Sequence, residues 1–168
     1  MSDSTNSIEW EKLFAPRGVA IIGASYNPTG GGFFARVMQG RIRCPLYLLN
    51  PKYAGEELFG YPVYASIMDV PEDKPIDYAI IGVKAKLCPT LMEECGKRGV
   101  SFVTIFASGF SEVGNEGLEE EVLEVAQKHG IRVIGPNCIG VYNPSSGLYF
   151  ATGQSKKAGN FGGVFQSG

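Results

Sequence analysis

The stretch VAIIGASYNPTGGGFF, Val19 to Phe34, holds the first residues whose types suggest chemistry. An apolar run breaks at Gly23, passes Ala24 and Ser25, and ends on Gly30, Gly31 and Gly32. A turn of this kind ahead of a helix suits an anion. Glycines let a phosphate approach the main chain, and a helix N-terminus offers unpaired N–H groups with a partial positive charge. The strict GxGxxG spacing is absent, the loop is longer than the compact dinucleotide turn, and Asn27–Pro28 lies inside it. Alone, the turn can also be read as a flexible surface loop.

The next apolar run narrows the ligand. A nicotinamide site that prefers NAD usually ends this strand on Asp or Glu, which binds the ribose hydroxyls. Here the run ends LLNPKYAG, with Asn50, Pro51 and Lys52. A lysine suits a phosphorylated ribose, either the 2′-phosphate of NADP or the 3′-phosphate of coenzyme A, and Lys52 alone does not separate them. The plain alternative is a solvated lysine after a Pro turn. Later runs end in VKAK (Val83, Lys84, Ala85, Lys86), ASGFSE (with Ser108 and Gly109) and GPNC (with Asn137). None of these supplies a constellation for hydride transfer. Ligands of open α/β sheets gather at the carboxyl ends of strands, and small residues there leave room for a long thin ligand such as a pantetheine arm. Lys84 and Lys86 either meet phosphates or are simply solvated.

These residues need elements to hold them. Val19–Ile22, Leu46–Leu49, Tyr78–Val83, Phe102–Phe106 and Arg132–Ile134 are short, nearly continuous apolar runs, the pattern of strands covered on both faces. Helical patterns lie between them. One is expected from near Gly31 or Gly32 to about Gln39, and a shorter one between Pro62 and Val70. A third has Leu87, Leu91 and Cys95 on one face and stops at Gly99. In the fourth, Leu118, Val122, Val125, Ala126 and His129 form a stripe, Asn115 is placed to cap the start, and Gly130 follows the end. Strands alternating with helices predict a doubly wound α/β fold with a mostly parallel sheet. His129, the single histidine, falls at a helix C-terminus, where the dipole favours it and its role is structural.

The bulk properties exclude several classes. A net charge of −2 gives no reason to expect nucleic acid or an anionic membrane as partner. The four cysteines form no CxxC pair and read as reduced thiols of a cytoplasmic protein. No apolar run reaches the length of a membrane span, about 18 residues. Met1–Glu9 lacks the pattern of a signal peptide and reads as a disordered tail. At the other end GGVFQSG, Gly162–Gly168, reads as a new strand entering a new small-residue turn, so the chain is expected to be a fragment; the plain alternative is a frayed terminal strand. The expected division is residues 1–9 as tail, 10–161 as one domain, and 162–168 as the start of a truncated following domain.

The order of the strings LFAPRGVAIIGAS, LLNPKYAGEELFGYPVYASIMDVP, GVSFVTIFASGFSEVG, GIRVIGPNCIGVYNP and GGVFQSG resembles the N-terminal CoA-binding domain of the NDP-forming acyl-CoA synthetases, relatives of the succinyl-CoA synthetase α subunit. The resemblance spans nearly the whole chain. It implies a Rossmann-like domain that binds CoA or an acyl-CoA. Ser25 and Gly30–Gly32 would meet the diphosphate, Lys52 the 3′-phosphate, and Val83 and Ala85 the ligand after the third run. Lys84 stands where the family has proline, which either alters the backbone path or adds a charge. Gly23, Ser108 and Gly109 complete the candidate set, with Asn137 toward the reaction centre. The family passes a phosphoryl group through a histidine on a further domain to an ATP-grasp partner. His129 does not match that histidine, so this chain by itself would bind CoA without ligating it. The alternative is a CoA-binding regulatory module, standalone or fused to an acetyltransferase.

Overall fold

The computed structural model describes residues 8–150 and 153–165. Seven strands form one sheet: β1 (Val19–Ile22), β2 (Leu46–Leu49), β3 (Glu57–Leu58), β4 (Tyr61–Tyr64), β5 (Tyr78–Ile81), β6 (Phe102–Ile105) and β7 (Arg132–Ile134). Their spatial order is β3-β4-β2-β1-β5-β6-β7, and all neighbours run parallel except the β3–β4 pair. Every residue of β1, β2, β5 and β6 is buried, as the continuous apolar runs require of strands covered on both sides. The doubly wound, mostly parallel Rossmann-like architecture expected from the sequence is therefore present.

The helices are α1 (Glu11–Phe14), α2 (Gly31–Met38), α3 (Cys88–Lys97) and α4 (Glu116–His129). One sheet face packs α3 and α4 over Ala20, Ile22, Leu49, Ala79, Ile81, Val103 and Ile105. The opposite face carries Leu13 of α1 and Phe34, Ala35 and Met38 of α2. Residues 138–150 complete that face as an irregular strap. Its Leu148 and Phe150 are buried beside Phe34, and Asn143 and Leu148 form an isolated antiparallel bridge. Asn143 Nδ2 donates to the Phe14 carbonyl at 2.6 Å, which fixes the strap at the amino edge of the sheet. At the same edge, Asp77 is buried and accepts from the Arg17 amide and guanidinium. Burial pushes the Asp77 carboxyl up, but the bonds and charge of Arg17 more than offset this and hold it below its ordinary value.

Several local expectations are corrected. The helix expected between Pro62 and Val70 is instead β4 followed by a 3-10 turn at Ile67–Asp69. Tyr61–Tyr64 adds to the edge of β2 and buries Val63, and a Ser66/Asp69 capping box confines the helical geometry to one turn. The inward face of α3 is Cys88, Met92 and Cys95, while Leu87 is exposed. The α-helix starts only at Cys88, because Ala85–Leu87 forms a preceding 3-10 turn. Asn115 does not cap α4 with its side chain; its Nδ2 reaches back to the Gly109 carbonyl. Gly162–Phe165 forms no strand among the described residues, and its apolar side chains are exposed. Gln166–Gly168, and residues 1–7 of the expected tail, lie outside the described residues. Ile8 packs partly against the α2 face. Among the described residues no helix is long and apolar enough to cross a membrane.

Candidate functional site

β1 delivers the chain to the glycine turn at the carboxyl edge of the sheet. The amides of Gly23 and Ala24 both donate to the Leu49 carbonyl, at 2.9 and 3.2 Å, so the start of the turn is fixed to the end of β2. The far end of the turn is fixed to β5. The Gly31 amide donates to the Gly82 carbonyl at 2.9 Å, while the Gly82 amide donates back to Ile22. A Cβ on Gly82 would lie 2.1 Å from the Gly31 nitrogen, and Gly30 turns the chain at φ +53°. Both glycines are therefore required by contact or conformation, and not merely by flexibility.

This arrangement changes which donors face a ligand. The expectation was an open helix N-terminus. Instead the first amides of α2 are satisfied within the protein: Gly31 by Gly82, Gly32 by Thr29 at 3.1 Å, and Phe33 by Gly30 at 3.1 Å. Among the described residues the amides of Ser25, Tyr26, Asn27 and Gly30, together with the Ser25 hydroxyl, make no hydrogen bond. The donors left for an anion thus lie in the loop ahead of the helix, with Gly32 packed beneath Ser25 and the Asn27 carbonyl.

The end of β2 is built around Asn50. Its Nδ2 donates to the Ala24 carbonyl at 2.7 Å, and its Oδ1 accepts the Lys52 amide at 3.0 Å. Asn50 therefore joins the glycine turn to the lysine loop, a role that the sequence signals only by placing an amide where an acid would bind ribose. Lys52 is exposed, and its Nζ rests over the Tyr53 ring at 5.2 Å from the centroid.

After β5, Val83 abuts Gly23 and Ala85 is buried, while Lys84 is exposed. Lys84 has φ −63° and ψ 140°, the conformation that proline itself takes. The replacement thus keeps the backbone path and adds a cation. Gly109 lies against Ala85, which links the ends of β5 and β6. Ser108 is exposed, but the amide of Gly109 is already engaged: Glu112 accepts it at 2.6 Å and accepts the Phe110 amide at 3.0 Å. The Gly109 bond is the main reason that the Glu112 carboxyl lies below its ordinary range. Sequence reasoning missed Glu112, whose spacing from Gly109 resembles any acid opening a helical turn. The exposed Asn137 has φ +52°, and its amide donates to Ala107 at 3.0 Å, so the GPN segment reaches the end of β6. Gly23, Ser25, Gly30–Gly32, Lys52 and Val83–Ala85 thus converge around the β1 end, and Ser108, Gly109 and Asn137 adjoin them through Ala85 and Ala107.

His129 stands apart. It closes α4, its ring packs on Gly96 of α3, and its Nε2 lies 2.9 Å from Glu93 Oε2. A groove of about 740 Å³ between α4 and β7 contains none of the candidate residues.

A family model described as "CoA binding domain" matches residues 17–144. The chain is 42% identical over 137 residues to an ADP-forming acetate–CoA ligase I of Archaeoglobus fulgidus, covering 79% of this chain and 19% of that protein. It is 38% identical over 163 residues to the α subunit of ADP-forming acetate–CoA ligase II of Pyrococcus furiosus, covering 93% of this chain and 34% of that subunit. Among solved structures, the dinucleotide-forming acetyl-coenzyme A synthetase 1 of Ca. Korarchaeum cryptofilum, in complex with phosphate and ADP, superposes with a TM-score of 0.77 at 36% identity, covering 88% of this chain and 32% of that one. The chain therefore spans about a fifth to a third of the length of these relatives.

Proposed function

The chain belongs to the CoA-binding domain family, and from that premise we propose that it binds coenzyme A or an acyl-CoA at the carboxyl ends of β1, β2 and β5. The observation that carries this reading is the set of unbonded amides at Ser25, Tyr26, Asn27 and Gly30, held beside Lys52 by Asn50. Such donors fit a diphosphate, and the lysine fits a ribose phosphate. Val83, Ala85, Ser108, Gly109 and Asn137 would line the path of the pantetheine arm, with Lys84 adding positive charge. The reading favours CoA over NADP because the strand ends offer no acid–base pair for hydride chemistry and Glu112 is already tied to two amides.

The wider activity follows from the similarity to ADP-forming ligases. In such an assembly this chain would hold CoA while an acyl phosphate, a phosphohistidine and an ATP-grasp unit exchange the phosphoryl group, converting acyl-CoA, NDP and phosphate to acid, CoA and NTP. The phosphorylated histidine would be one other than His129, because a helix C-terminus carries partial negative charge and Glu93 already faces the ring. The similarity to ligases favours this reading over a regulatory module.

Calorimetric titration of the chain with CoA, 3′-dephospho-CoA, NADP and NAD tests the assignment. CoA is expected to bind most tightly, and Lys52→Ala should weaken CoA more than 3′-dephospho-CoA. Binding of NADP with no CoA signal would overturn the reading.

A further inference from the structure

Tyr26 lies inside the loop of unbonded amides, and the residue is 54% exposed. That exposure does not come from a loose residue. Its hydroxyl donates to the Glu57 carbonyl at 3.2 Å, and its own carbonyl accepts Arg36 Nη2 at 3.2 Å. Tyr53 and Phe59 meet its ring at interplanar angles of 84° and 69°, with centroids 6.1 and 5.7 Å away. Neither neighbour stacks flat upon it, so the ring is braced while much of it stays open to solvent.

Phe59 shows that this bracing is built in. It occupies the first loop position of the β3–β4 hairpin at φ +54°, followed by Gly60 at φ +82°. Tight hairpins place Asn or Gly at such positions, because a bulky side chain in the left-handed region is strained. Here the phenylalanine supplies the ring that supports Tyr26, and Arg36 covers it from 5.3 Å.

Resting on the coenzyme A reading, we propose that the open part of the Tyr26 ring is the surface on which the adenine of the ligand stacks. The adenine and the 3′-phosphate of CoA hang from one ribose, so their receptors must be neighbours. Lys52 and Tyr26 meet this demand through Tyr53, which touches both. The diphosphate hangs from the same nucleoside, and its donors include the amides on either side of Tyr26, at Ser25 and Asn27. Lys84 lacks such a setting, because among the described residues its ammonium lies over no aromatic ring.

The test titrates the 168-residue chain with CoA, adenosine 3′,5′-bisphosphate and 4′-phosphopantetheine. Tyr26→Leu should weaken the two adenine-bearing ligands about ten-fold, the scale of one base–aromatic stack, and leave 4′-phosphopantetheine unchanged. Tyr26→Phe loses only the hydroxyl bond to Glu57 and should stay close to wild type. In the wild-type chain, bound adenosine 3′,5′-bisphosphate should show upfield-shifted adenine H2 and H8 resonances and intermolecular NOEs to the Tyr26 ring, a readout independent of any variant. Equal losses for all three ligands would make Tyr26 a clamp of the loop only and overturn the stacking. CoA binding without ring-current shifts or NOEs would overturn it while leaving the CoA reading intact. A wild-type chain that binds none of the three ligands would overturn both.

Discussion

The carbonyl of Gly82 accepts the amide of Gly31 at 2.9 Å and so joins the end of β5 to the first turn of α2. This contact closes the base of the proposed site and leaves no space for a side chain. A methyl group on Gly82 would sit 2.1 Å from the Gly31 nitrogen, which is backbone and cannot rotate away. Gly82→Ala is therefore expected to destabilise the domain by about 1–3 kcal/mol, the range of core overpacking, and to weaken CoA. Denaturant unfolding and calorimetry together check it. A variant with wild-type stability and affinity would show that the α2 end does not need this approach.

Asn50 connects the two loops that carry the proposed phosphate contacts. Asn50→Ala removes the donor to Ala24 and the acceptor for Lys52. The expected loss is about 1–2 kcal/mol of stability, with a fall in CoA affinity. Asn50→Asp keeps an acceptor for Lys52 but turns a carboxylate toward the Ala24 carbonyl, so it should also bind CoA more weakly than wild type. If calorimetry finds both variants at wild-type affinity, the loop junction is not part of the site.

The contact between α3 and α4 predicts a pH dependence. Lys128 and His129 bond to the Glu93 carboxyl and hold it down at about 2, below its ordinary 4.5. A carboxyl lowered on folding stabilises the native state above about 4.5, and that contribution fades as the pH falls toward 2. Melting temperatures of wild type and Glu93→Gln should thus differ most at and above pH 5 and converge toward pH 2. A constant gap across that window would remove the ionised Glu93 from the account. His129→Asn should lower the melting temperature without changing CoA affinity.

Thiol chemistry follows from burial. Cys88 and Cys95 lie in the α3 core, where burial pushes their thiols up to about 11 and about 12. Both should resist iodoacetamide at pH 8 in the native chain and react once it is unfolded, as peptide mass spectrometry can follow. Rapid native labelling of either would contradict their complete burial in the core that includes Val122 and Ala126.

At the amino edge of the sheet, Arg17→Ala leaves the buried Asp77 carboxylate without its guanidinium partner. The Arg17 amide remains, and the guanidinium is largely exposed, so the expected cost is about 1 kcal/mol. Chemical denaturation gives the number directly, and CoA affinity should be unchanged because the pair is at the opposite edge from the glycine turn.

The four buried parallel strands β1, β2, β5 and β6 were legible because a strand covered on both faces must be apolar throughout. The β7 run was legible too, but it lies at the sheet edge with Arg132 exposed and is not covered on both faces. The β3–β4 hairpin was not, since Glu57–Leu58 is too short to show a pattern and Pro62 argues against a strand. Gly23, Gly30 and Lys52 could be singled out as candidates from residue type alone. What the sequence could not show is which amides remain free. That depends on Gly82, far along the chain, occupying the Gly31 donor, and on Glu112 folding back onto Gly109. Asn50 stood out as an amide in an acid's place, but its partner at Ala24 could be seen only in three dimensions.

The strap over the α2 face also fixes an order of assembly. Asn143 reaches a carbonyl 129 positions earlier, and Phe150 meets Phe34 with ring centroids 5.2 Å apart. As the chain leaves the ribosome, β1 through β7 and all four helices emerge before these residues do. Until the strap arrives, Phe34 lacks part of its cover, and the core it shares with Ile21 and Ile80 presents an oily flank. Domains generally fold as units during synthesis, and exposed apolar surface invites aggregation. Nascent chains cut short of the strap should therefore be bound by chaperones or cleaved by protease, and protection should appear only once Phe150 has cleared the exit tunnel.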